Sequence, residues 1–250
     1  MDVQTRVWKR MGLTDGEMAE RRRVLATRGA GHPGNADCYD ARTVQPRLAS
    51  PLQGKRIVFL GSSITEGTLA CGQSFVDFME ARDGIVGIKN VVPGSLLVDD
   101  ARDGSSYVER LVRIDPAQEV DALVCQLSTN DAAYGNEIGV VGQRPLNTTT
   151  VAGGIEFIIE YARSTWDCPV FFFTALPFEN EQYAQLVSVL KRIADMTGAF
   201  VIDFFNASDT AEMRDEDRAL YQYDAVHPTR AGYLIWWTPV FERELEQRLG

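Results

Sequence analysis

From residue 55 onward the chain alternates between unbroken apolar runs and segments in which apolar residues recur every three or four places. Residues 57–60, 120–127, 170–173 and 200–202 are of the first kind, with a weaker run at 88–92. Runs this short and this apolar predict strands buried on both faces. Between them Phe75, Phe78 and Met79, then Val108, Leu111 and Val112, then Ile155, Ile158, Ile159 and Ala162, and then Leu186, Val187, Leu190, Ile193 and Ala194 fall at helical spacing. Each set predicts one apolar helix face turned to the core. Strand and helix in repetition predict an α/β fold, a parallel sheet covered by helices on both faces.

The first 54 residues follow no such pattern. Leu13-Thr14-Asp15-Gly16-Glu17-Met18 carries the Thr and Glu of a capping box, which predicts a helix from Thr14 to about Thr27. Residues 29–54 are rich in Gly, Pro and Ala and predict an extended arm. The expected division is an N-terminal helix and arm over 1–52 and the main domain over 53–250. Gly29-Ala30-Gly31-His32-Pro33-Gly34 fits a dinucleotide-binding spacing. No strand precedes it and Pro33 stands where the helix should open, so no such cofactor is expected.

A formal net charge of -10 repels phosphate backbones, and nucleic acid is not an expected partner. Residues 1–30 carry the opposite balance, but Arg21-Arg22-Arg23 has Glu17 and Glu20 beside it and reads as a solvated helix face. No apolar run approaches the roughly 20 residues that span a bilayer, and the N-terminus lacks the apolar core of a secretory signal. The expectation is a cytoplasmic protein with no membrane partner. Cys38, Cys71, Cys125 and Cys168 lack metal-site spacing, so neither a zinc site nor a disulfide framework is expected.

In a parallel sheet the functional residues lie just beyond the carboxyl ends of the strands. The first strand is followed by Gly61-Ser62-Ser63-Ile64-Thr65, the second by Pro93-Gly94-Ser95, the third by Ser128-Thr129-Asn130-Asp131. Further on, Asp224-Ala225-Val226-His227 precedes a helix beginning near Thr229. Taken singly, each is equally a cap or a turn. Together they supply a serine, a histidine that a carboxylate three residues away can orient, and two donors for an oxyanion. No Gly-x-Ser-x-Gly elbow, Walker loop or His-Glu-x-x-His competes with this set.

These blocks resemble those of the SGNH, or GDSL-type, serine hydrolases, in order and over about residues 55–246. The resemblance implies a three-layer α/β/α sandwich with a five-stranded parallel sheet, flavodoxin-like strand order 2-1-3-4-5, and no cofactor or metal. It assigns Ser63 as nucleophile, His227 as base and Asp224 as its partner, with an oxyanion hole of Ser63, Gly94 and Asn130. Two positions depart from the family pattern. Ser62 replaces an Asp and Ser128 a Gly, and the first removes a carboxylate beside the nucleophile, so Ser62 stands as a rival to Ser63.

The expected activity is hydrolysis of small acyl esters through an acyl-serine. Residues 132–149 follow the asparagine block, and Tyr134, Asn136 and Arg144 there, with Glu179 after the fourth strand, are candidate substrate contacts. Their polar and aromatic character suits an acetylated carbohydrate better than a lipid, so a lipase or thioesterase ranks lower. Trp236-Trp237 reads as core packing, not a sugar platform. A binding protein that keeps the fold without turnover is the reading from another class. A homo-oligomer assembled through the N-terminal arm is a further expectation.

Overall fold

The computed structural model describes residues 8–9, 12–99, 104–208 and 213–250. Its elements in chain order are α1 (Asp15–Thr27), β1 (Arg56–Gly61), α2 (Ser63–Glu66), α3 (Phe75–Asp83), β2 (Val86–Val91) and α4 (Tyr107–Leu111). They continue with β3 (Ala122–Gln126), α5 (Thr129–Tyr134), α6 (Val151–Trp166), β4 (Val170–Phe173), α7 (Glu181–Thr197), β5 (Phe200–Ile202) and α8 (Asp215–Tyr221). The last are α9 (Arg230–Gly232), a π-helical turn (Tyr233–Trp237) and α10 (Thr238–Leu249).

The five strands form one sheet of order β2-β1-β3-β4-β5, every neighbouring pair parallel, which is the order the resemblance implies. Every residue of β3 and β4 is buried, as a sheet covered on both faces requires. Phe59 and Phe173 turn to the face where α3 and α10 pack, and Phe75 of α3 meets both, stacking also on Phe241 with centroids 3.9 Å apart. Helices α4, α6 and α7 pack together on the other face. Trp237 is fully buried and stacks on Phe204 at 4.2 Å, a core role. Val112 is the exception among the apolar stripes: α4 is a helix of only five residues that ends at Leu111, and Val112 turns outward, 46% exposed.

Thr14 caps α1, with Glu17 completing the capping box. The segment after it is not extended as its composition suggests. Three short 3-10 turns occupy Pro33–Asn35, Asp37–Tyr39 and Ala41–Thr43, the first and third capped by His32 Nδ1 and Asp40 Oδ1, which accept from backbone N–H groups two residues on. The turns are held tightly against the sheet domain. Asn35 donates to the carbonyls of Gly29 and Leu69, each at 2.8 Å, and accepts from the N–H of Arg230 at 2.8 Å. A Cβ on Gly34 would lie 2.0 Å from the Leu220 carbonyl oxygen, so only glycine permits this approach. Arg47 pairs with Asp83 at 2.9 Å and with Glu246 at 2.7 Å. Among the described residues no helix is long and apolar enough to cross a membrane.

Candidate active site

Ser63 opens α2 directly beyond β1, and its N–H, at the first position of the helix, has no intrahelical acceptor. Its Oγ lies 2.8 Å from His227 Nε2. On the other side of the ring, His227 Nδ1 lies 2.9 Å from Asp224 Oδ2 and 3.0 Å from Oδ1. Asp224 also accepts from the N–H groups of Val226 and His227, both at 2.8 Å, which fixes the carboxylate within a single turn of chain. Burial is the largest influence on Asp224 and opposes its ionisation, yet the His227 ring and those two amides outweigh it and lower the carboxyl to about 2. A permanently ionised Asp224 holds a proton on Nδ1 and leaves Nε2 as the acceptor facing Ser63.

The loop carrying His227 is anchored at both ends. Tyr223 donates to the His227 carbonyl at 2.8 Å, and Thr229 donates to the Tyr221 carbonyl at 2.9 Å. Immediately beyond, the arm residue Asn35 holds Arg230, and Asp40 pairs with the Arg230 guanidinium at 3.1 Å. Residues of the N-terminal arm therefore fix the position of the histidine.

Ser62 is placed quite differently from Ser63. It is fully buried, its N–H donates to Gln126 Oε1 at 3.1 Å, and its Oγ accepts from Gln126 Nε2 at 3.1 Å. Gln126 Oε1 also accepts from the Thr65 hydroxyl at 2.8 Å. Of the two adjacent serines it is Ser63 that the structure brings to the imidazole.

Gly94, beyond β2, has φ +78°, a conformation that favours glycine, and open space where a Cβ would stand. Its backbone, not its size, is what the position requires. Asn130, on α5 beyond β3, donates from Nδ2 to the Ser95 carbonyl at 2.9 Å and more weakly to Ser62 Oγ at 3.4 Å. Asp131 is buried and accepts from the N–H of Leu97 at 2.7 Å, so it fastens the glycine loop to α5. The N–H groups of Ser63 and Gly94 and the Asn130 amide thus come from three successive strand ends, the arrangement from which an oxyanion hole is built.

The four candidate substrate contacts divide. Tyr134 is 64% exposed one helical turn beyond Asn130, and Glu179 is exposed on the loop after β4. Asn136 is engaged internally, while Arg144 is an exposed residue paired along α6. The Asn136 side chain donates to Asp131 Oδ1 at 2.9 Å, and Arg144 pairs with Glu156 at 3.2 Å and with Glu160, both on α6. Asn180 caps α7 through the N–H of Tyr183. Gln126 and Asp131 escaped the sequence reading, although a lone glutamine inside Ala-Leu-Val-Cys-Gln-Leu was a signal: a buried amide needs partners.

A model of the GDSL-like lipase/acylhydrolase family matches residues 59–235. No curated protein sequence matches the chain. Among solved structures, a candidate GDSL-like lipase from Bacteroides ovatus is similar at 11% identity and TM-score 0.59, covering 78% of this chain and 99% of that one. An acetyl xylan esterase from Geobacillus stearothermophilus is similar at 18% identity and TM-score 0.57, with 77% and 95% covered. A carbohydrate esterase family 2 enzyme from Corynascus, which carries a carbohydrate-binding domain, is similar at 16% identity and TM-score 0.53, with 82% and 69% covered. At such identities the three share the fold. The family model spans both the Ser63 turn and the His227 loop, and the chain belongs to the GDSL-like lipase/acylhydrolase family of serine ester hydrolases.

Proposed function

We propose that the chain hydrolyses small acyl esters, acetyl esters of carbohydrates above all, with Ser63 as nucleophile. The observation that carries this is the unbroken line from Ser63 Oγ through His227 to Asp224. Ser63 Oγ attacks the ester carbonyl as its proton passes to His227 Nε2, forming a tetrahedral oxyanion that the Ser63 and Gly94 N–H groups and Asn130 Nδ2 stabilise. The carbon–oxygen bond to the alcohol breaks, and the same proton passes from His227 to the departing oxygen. Water then attacks the acyl carbonyl as His227 Nε2 takes its proton, the bond from the acyl carbon to Ser63 Oγ breaks, and that proton returns to Ser63 Oγ as the acid leaves.

Two features favour a sugar over a lipid. The exposed large side chains flanking Asn130 and Asp224 are Tyr134 and Tyr223, whose rings can cover a sugar face while their hydroxyls stay solvated. The acetyl xylan esterase and the carbohydrate esterase of similar fold point the same way.

Exposure to a fluorophosphonate ester followed by peptide mass spectrometry tests the nucleophile. An adduct confined to Ser63 and lost in His227→Ala is the expected result, and release of acetate from acetylated sugars faster than from long-chain esters supports the substrate class. A folded protein that takes no adduct would replace this reading with that of a binding protein, for which the Ser62 substitution would be the motive.

A further inference from the structure

Arg110, on α4, is 1% exposed, and its guanidinium finds only neutral oxygens. Nε donates to the Ser105 carbonyl at 2.7 Å. Nη1 donates to the Asn90 carbonyl and to Asn90 Oδ1, the latter at 2.7 Å. Nη2 donates to the Gly61 carbonyl at 2.9 Å and to Ser95 Oγ at 3.2 Å. The Tyr107 ring lies beside it, 5.2 Å from Cζ. Among the described residues no carboxylate pairs with it. Burial lowers its pKa to about 10, which still leaves it charged at neutral pH.

A cation in the interior is expensive to bury, and a neutral amide could tie some of the same carbonyls at less cost. The position of the acceptors explains the charge. Gly61 contributes the carbonyl of the peptide leading into Ser62, at the end of β1. Ser95 follows Gly94, and its own carbonyl receives the Asn130 amide. One guanidinium therefore touches the strand end before Ser63 and the glycine loop, and through Ser95 it reaches Asn130.

We infer that Arg110 is a positioning residue of the oxyanion hole, which sets the spacing of its three donors and whose buried charge favours the negative oxygen formed there. The inference rests on the esterase reading and concerns how that site is held. In an interior that screens poorly, a fixed positive charge lowers the energy of the oxyanion more than that of the neutral ester, so the effect belongs to kcat and not to KM.

The test compares Arg110→Gln and Arg110→Lys with the unaltered full chain, using p-nitrophenyl acetate turnover, thermal unfolding and fluorophosphonate labelling. Folded Arg110→Gln is expected to lose about 10- to 100-fold in kcat with KM changed by less than about threefold. Arg110→Lys is expected to restore most of kcat at neutral pH and to lose it on the alkaline side at unchanged Tm, because burial depresses a lysine pKa. Unchanged kcat in folded Arg110→Gln, or a loss confined to KM, overturns the inference. If Arg110→Gln does not fold, Arg110→Lys decides: an alkaline profile like that of the unaltered protein, or a fall in kcat that merely follows Tm, overturns it. Failure of the unaltered protein to turn over ester or to label at Ser63 would instead remove the esterase reading, and this inference with it.

Discussion

The side-chain amide of Asn130 is anchored to the Ser95 carbonyl at 2.9 Å, and its remaining N–H is held only loosely, 3.4 Å from Ser62 Oγ. The anchored half sets the direction and the loose half is the one a substrate oxygen can claim. Asn130→Ala is therefore expected to lower kcat about 100- to 1000-fold with little change in KM. Steady-state kinetics on a soluble acetyl ester decide it, and an unchanged kcat would strip Asn130 of this role.

Asp224 remains a carboxylate through the whole working range, since its pKa is lowered to about 2. Asp224 itself therefore contributes no ionisation to the activity profile near neutral pH. The profile of kcat/KM should fall toward acid through a single ionisation. Asp224→Asn permits the wrong tautomer and is expected to reduce kcat by about 10⁴-fold while leaving substrate binding intact. Mild loss in Asp224→Asn would contradict the assignment.

Ser62 satisfies a network rather than a substrate. Removing its hydroxyl in Ser62→Ala leaves Gln126 Nε2 without its buried acceptor, a loss of about 1–3 kcal/mol in stability. The fluorophosphonate adduct is expected to stay on Ser63 in this variant. Loss of labelling in folded Ser62→Ala would reopen the choice between the two serines.

Much of this architecture was legible in the chain. Strands such as 170–173 announced themselves because a strand with both faces covered must be apolar at every position. The edge strand β2 was harder to read, since Lys89 and Asn90 interrupt the run at 88–92 and are buried nonetheless. Lys89 pairs there with Asp77 and Asn90 with Arg110, long-range partners that local periodicity does not encode. The candidate site residues Ser63, Gly94, Asn130, Asp224 and His227 were recognisable by their places after the elements. Their supports, Gln126, Asp131 and Arg110, were not, because a support is defined by what it touches across the fold. Asn136 shows the converse: a polar residue in a promising segment whose side-chain amide is already engaged by Asp131.

The arm supplies a prediction of its own. Asn35→Ala would leave the Leu69 carbonyl and the Arg230 N–H unpaired, while the Gly29 carbonyl keeps the His32 N–H, lowering stability by about 2–3 kcal/mol. Because Arg230 follows His227 by three residues, kcat should fall as well. Thermal denaturation and kinetics on the same preparation check both, and full activity with reduced Tm would confine the arm to a structural role.

Stability is expected to depend on pH through a buried carboxyl. Glu242 is 5% exposed, and burial first, then neighbouring Asp83, raises its pKa against the pull of Arg82 and Arg47. A carboxyl raised in the folded state binds its proton more tightly there than in the unfolded chain. Stability present below the ordinary value of 4.5 is then lost as pH rises through the raised pKa. Tm should decline between pH 5 and 8, and Glu242→Gln should flatten that decline. Identical slopes in the two proteins would place the effect on another group.

The hydrogen bond between Asn35 and Arg230 joins residues 195 positions apart. Contacts of such span are entropically late, since the intervening chain must be brought into order before they repay their closure. On a ribosome Asn35 emerges long before its partner exists, and the sheet can assemble around β1 in the interval. The histidine loop can lock only after Arg230 has followed. Docking of the arm beside the His227 loop is then among the last steps by which this chain assembles during synthesis, and on the function proposed above a nascent chain stopped short of that contact holds its serine without an effective base.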